Sequence, residues 1–127
     1  MKLLDTKEAI YHSLTTDPEL VSLMGSVEAY STFPGDIAKL PRITFTSINV
    51  SPDITDIWEI TYQIDVWGEV DDLKVDQITE RIVEIFNKKR LKIDGDTRVI
   101  WCVVTGQREV QEPDRKRNEI DVDCKIL

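Results

Sequence analysis

The sharpest pattern in the chain is the alternation in "WEITYQIDVWG", Trp58 to Gly68. Trp58, Ile60, Tyr62, Ile64 and Val66 fall on one side, and Glu59, Thr61, Gln63 and Asp65 on the other. A period of two held over that length predicts a strand with one buried and one polar face. "PRITFTSINV" alternates in the same way, with Ile43 and Phe45 against Thr44 and Thr46, and Pro41 at a position a strand tolerates. The two runs are neighbours in sequence and predict an antiparallel hairpin. "NEIDVDCKIL" alternates again, placing Ile120, Val122, Cys124 and Ile126 inward and Glu119, Asp121, Asp123 and Lys125 outward. "RVIWCVVTG" is apolar on both sides, as expected of a central strand.

Elsewhere the period changes to that of a helix. Ala9, Ile10 and Leu14 predict a short amphipathic helix from about Thr6 to Thr15. "TDPELVSLMG" carries a full set of helix signals. Asp17 can cap the N-terminus, Pro18 suits the first position, Glu19 complements the dipole and Gly25 stops the helix. Its Leu20, Val21, Leu23 and Met24 are expected to pack inward. "DDLKVDQITERIVEIFNKK" predicts the strongest helix, capped by Asp71 or Asp72 and closed by Lys88 and Lys89. Its apolar stripe is Val75, Ile78, Ile82, Ile85 and Phe86. Between these elements lie the bend "FPGDIAKLP", the link "SPDITD" and a turn at Asp94-Gly95.

The order is helix, helix, strand, strand, helix, strand, strand. It predicts a single α+β domain over residues 1–127. The architecture expected is a mostly antiparallel four-stranded sheet, a long helix packed on one face, and a short N-terminal helical pair. A hairpin of the last two strands centred near Pro113 would bring Cys102 and Cys124 opposite one another.

Composition narrows the function. The 127 residues hold 24 acidic and 16 basic side chains, for a net charge of −8. That balance argues against a protein that grips nucleic-acid backbone, which needs a basic face. No apolar run approaches the roughly 20 residues that span a bilayer, and Asp5, Lys7 and Glu8 interrupt any signal-like N-terminus. The single histidine, His12, has no evident catalytic partner. One histidine and two cysteines far apart do not make a zinc site, and "KIDGDT" lacks the alternating ligands of a calcium loop. No cofactor is expected. Chemistry, if any, would rest on carboxylates such as Asp65, Asp121 and Asp123, so an enzyme is the least favoured class.

Three features remain as candidate contacts. Trp67 sits on the polar side of its strand beside Gly68, and reads either as sheet core or as a contact residue. "QREVQEPDRKRNE", Gln107 to Glu119, is densely charged and longer than a tight turn requires. It is either a solvated, flexible hairpin tip or an arm whose Arg108, Arg115, Lys116 and Arg117 pair with a neighbouring subunit. Tyr30, Phe33 and Pro34, in the bend before the first strand, complete the set of candidate interface residues.

Four stretches in order then give the chain a family likeness: "TTDPELVSLMG", "VEAYSTFPGDIAKLPRITF", "ITYQIDVWG" running into a long helix, and the terminal strand pair. Together they resemble the tail-completion or tail-terminator proteins of long-tailed bacteriophages. The resemblance covers most of the chain. It implies a non-enzymatic structural subunit that forms a hexameric ring, caps the tail tube and docks to the head connector. The implied partners are other copies of itself, the major tail tube protein and the connector, with no membrane. The implied location is the head–tail junction of a virion assembled in host cytoplasm, with DNA passing an acidic lumen unbound. A small-molecule-binding or regulatory α+β module, using the polar sheet face, is the alternative.

Overall fold

The computed structural model describes residues 2–25, 27, 29–30, 40–52, 58–92 and 99–126. The chain opens with α1 (Lys2–Thr16) and α2 (Pro18–Met24). The second helix starts as its residues dictate: the Asp17 carboxylate accepts the Leu20 amide at 3.1 Å, with Pro18 in the first turn. It ends where the Gly25 amide donates to the Val21 carbonyl, Gly25 having a φ of 81°. Leu20 is fully buried and Leu23 and Met24 half-buried, but Val21, expected inward, faces solvent.

The sheet departs from expectation. It has six strands: β1 (Ala29–Tyr30), β2 (Arg42–Pro52), β3 (Trp58–Gly68), β4 (Lys89–Lys92), β5 (Val99–Gln111) and β6 (Lys116–Ile126). Their order is β1-β2-β3-β6-β5-β4, and the sheet curls into a half-barrel. It is mixed, because β1 runs parallel to β2 while every other pair is antiparallel. The expected four-stranded antiparallel sheet under one long helix is therefore incorrect. The third helix, α3 (Leu73–Phe86), has 14 residues and is no longer than the 15-residue α1. From Val99 on, the run "RVIWCVVTG" lies in β5, next to the edge strand; β3 and β6 are the central pair.

Both missed strands have a physical reason for being inconspicuous. β1 is two residues long, too short to show a period. β4, "KRLK", has a single apolar residue and looks like the basic end of the preceding helix. The chain in fact leaves α3 at Asn87, and Lys88 takes a left-handed φ of 56° that turns it directly into β4. Asn87 also accepts the Val104 amide at 3.3 Å, tying the turn to β5. Lys88 and Lys89 thus belong to a turn and a strand, not to the last helical turn. The Asp94-Gly95 turn, most of "SPDITD" and most of "FPGDIAKLP" lie outside the described residues.

The core lies between the sheet and the helices. Ile60, Tyr62, Ile64 and Val66 of β3 meet Val75, Ile78, Ile82 and Phe86 of α3 and Ile10 and Leu14 of α1, all fully buried. The Thr6 and Tyr62 hydroxyls share a 2.6 Å hydrogen bond, which anchors α1 to the middle of the sheet. Burial pushes the Tyr62 phenol up to about 12. Gly68 lets α3 approach β3, because a Cβ there would collide with the buried Val75 side chain. Cys102 and Cys124 face each other across β5 and β6 as free thiols, 3.5 Å apart, as the hairpin register predicts. The Cys124 thiol is held far above its ordinary value, first by its hydrogen bond with Cys102 and then by burial.

Candidate functional site

Alternation sends the second set of side chains to the sheet's outer face, away from the helices. Register places Trp67 opposite Arg117, Asp65 opposite Glu119 and Gln63 opposite Asp121. The continuation into β5 sets Arg108 opposite Glu119. These side chains form one ionic lattice. Arg108 pairs with Glu119 and reaches Asp121 at 3.2 Å, while Arg117 lies 2.8 Å from Glu119 and 3.8 Å from Asp65. The Trp67 ring is covered by the Arg117 and Arg115 guanidinium groups, with carbon-to-centroid distances of 5.1 and 5.7 Å. The Trp67 indole N–H donates to Thr44 at 2.9 Å.

Burial makes this lattice tense. It pushes the Asp65 carboxyl above the ordinary carboxylate range, against the opposing pull of the Gln63 amide and Arg117. One Asp121 carboxylate oxygen is buried without a hydrogen bond. Arg117 Nε, 3.2 Å from Glu112, is close enough for an ion pair but not aligned for a hydrogen bond.

Lys116 goes the other way. It points to the helix side, where its ammonium sits 2.7 Å from Asp76 of α3. Asn118 bonds the same carboxylate at 3.1 Å and Thr79 at 3.0 Å. These contacts, Lys116 foremost, hold the Asp76 carboxyl below its usual range. A matching clamp joins α2 to α3: Arg81 lies 2.7 Å from Asp17 and lowers that carboxyl as well.

The expected interface set is therefore split. Trp67, Arg108, Arg115 and Arg117 come together on the outer face, whereas Lys116 is a helix–sheet clamp. Tyr30 is half-buried in β1, in register with Thr44 and so one strand removed from the Trp67 indole. Phe33 and Pro34 lie outside the described residues. The charged segment is not a long flexible tip. The β5–β6 ladder runs to Gln111 and Lys116, so only residues 112–115 turn the chain. The arginines serve that ladder internally.

A second surface takes in Tyr30, one of the candidate interface residues. A groove of about 870 Å³ runs between α1, β1 and the edge strand β4. Leu4, Tyr11 and Leu91 give it apolar walls, and Lys7, Arg90 and Lys92 give it basic ones. Asp5 and Glu8 stand on the α1 side. Leu4 and Tyr11 are each about half exposed, at 53% and 50%. Arg90 and Lys92 come from "NKKRLK", whose first lysines read as the basic end of the preceding helix, so the sequence marked this surface through Tyr30 alone.

The model of the family "Tail completion protein gp17" matches residues 8–127. The chain belongs to this tail completion family. It is thus a structural component of a phage-type tail, as its resemblance implied. Among solved structures, a chain from the virion of a native gene transfer agent particle superposes with a TM-score of 0.72 at 18% identity. The match covers 94% of this chain and 92% of that one. A second solved structure superposes with a TM-score of 0.68 at 8% identity, covering 100% of this chain and 96% of the other. At such identities the two superpositions establish a shared fold. No curated protein sequence matches the chain.

Proposed function

We propose that this tail completion protein is a tail-terminator or head–tail joining subunit. Copies form a hexameric ring on the end of the tail tube, and the ring docks to the head connector. Family membership over residues 8–127 is the observation that carries this reading. The half-barrel supports it with distinct surfaces: a stiff ionic outer face, and an apolar and basic groove at the opposite sheet edge. A closed ring joins two different patches of each subunit. The net charge of −8 is compatible with a lumen that lets DNA pass without adhesion.

Light scattering after size exclusion, followed by negative-stain imaging with tail-tube protein, tests the proposal. Rings on tube ends are the expected result. A strict monomer that leaves tube ends bare contradicts it. The alternative, a small-molecule module, has the 870 Å³ groove in its favour. It predicts a thermal shift with a metabolite and no association with tubes.

A further inference from the structure

Within that ring reading, on which this step rests, we propose that the groove between α1 and β4 is the socket for the β3–α3 turn of a second copy of this chain. The turn is the complementary object. Val70 and Leu73 are 52% and 74% exposed, among the most open large apolar side chains of the described residues. They are flanked by exposed Glu69 and Asp71. Asp71 holds a left-handed φ of 62°, and Asp72 caps α3, so the turn presents its apolar pair in a fixed shape. The socket offers Leu4, Tyr11 and Leu91 for the apolar pair and Lys7 and Lys92 for the acids, with Asp5 and Glu8 beside them on α1.

Charge supports the pairing. Most arginines of the chain are engaged internally, as are Lys116 and its partners. Among the described residues, Lys88, Lys89 and Lys92 form no ion pair, although the chain carries eight excess negative charges. Unspent cations at an open sheet edge suit an acidic partner, and the chain itself presents one.

Placement supports it too. Trp58, Ile126, Ile100 and Leu91 line up across the sheet at the β4 end. Gly68 and the turn lie at the other end of β3, ten residues and roughly 33 Å from that β4 wall, whereas the β1 wall of the socket, Ala29 and Tyr30, lies across β2 from Val66 and Asp65, nearer the turn. The turn and the groove between the two sheet edges are different patches of the subunit, so their pairing is a head-to-tail contact, which closes into rings when the rotation permits.

Sedimentation of the full chain tests this at concentrations up to about 1 mM. Glu69 and Lys92 are both exposed, so reversing either leaves the core intact. Lys92→Glu alone and Glu69→Lys alone should each weaken self-association about tenfold. An equal mixture of the two variants should recover it to within about threefold, because each acidic socket then meets a basic knob. Association of either variant at wild-type strength, a mixture no stronger than its components, or a wild type that stays monomeric throughout would overturn the contact. Rings on tail tubes in spite of such a result would leave the ring reading intact and move its interface elsewhere.

Discussion

Two basic stretches of the chain, Arg115 to Arg117 and Lys88 to Lys92, look alike as letters and behave differently in the fold. In the first, every cation is spent. Arg115 and Arg117 cover Trp67, Arg117 also pairs with Glu119, and Lys116 clamps Asp76. In the second, Lys88, Lys89 and Lys92 pair with nothing among the described residues and line or flank an open edge. Charge density alone therefore does not leave charge free for a partner. Charge left over after the chain has satisfied itself is available to a partner without first breaking a fold contact.

The contrast breaks most visibly at Trp67. Trp67→Ala removes a ring held under two guanidinium groups and its bond to Thr44, and should cost about 3 kcal/mol in chemical denaturation. A loss below about 0.5 kcal/mol would show that the lattice is a free surface after all. Arg117→Ala should cost about 2 kcal/mol, because it strips Asp65 of its ion-pair partner and leaves Glu119 with Arg108 alone, while both carboxylates stay largely buried.

Asp65→Asn should do the opposite. Burial raises the Asp65 pKa in the folded state, so the folded protein takes up that proton more readily than the unfolded chain. The group therefore costs stability above its raised pKa, and the cost fades as pH falls through it. The variant should be slightly more stable than wild type at pH 7, with the gap narrowing as the solution is acidified. Asp17 and Asp76 have lowered values and carry the reverse sign. Their contribution is present above the ordinary carboxylate pKa and is lost as acid titrates through the lowered values.

The smallest effect on stability belongs to the edge. Lys89→Ala with Lys92→Ala should change stability by less than about 0.5 kcal/mol, while weakening self-association and its sensitivity to salt. A large loss of stability there would place these lysines in the same class as Lys116.

Much of this was legible in the residues. The alternation of β3 and β6 named the inward residues, and Asp17-Pro18 to Gly25 bounded α2 closely. Local period and capping chemistry carry that information directly. The sheet was not legible at its edges. Two residues of β1 cannot show a period, and β4 hides behind the helix-like basic signature of "NKKRLK". Nor was the state of the charges. Whether Arg108 meets a partner or Glu119 depends on register across β5 and β6, which no local window contains. The outer-face role of Trp67 was visible as a position, but its guanidinium cover was not.

The most direct test of the central claim is oxidative cross-linking of the Val70→Cys, Lys92→Cys chain assembled on tail tubes. The native thiols, Cys102 and Cys124, are buried beside each other and do not compete. A turn seated in the socket of the next subunit gives a covalent ladder climbing from dimer to hexamer, lost when either new cysteine is omitted. Rings that form on the tubes yet release only monomer after oxidation would contradict it.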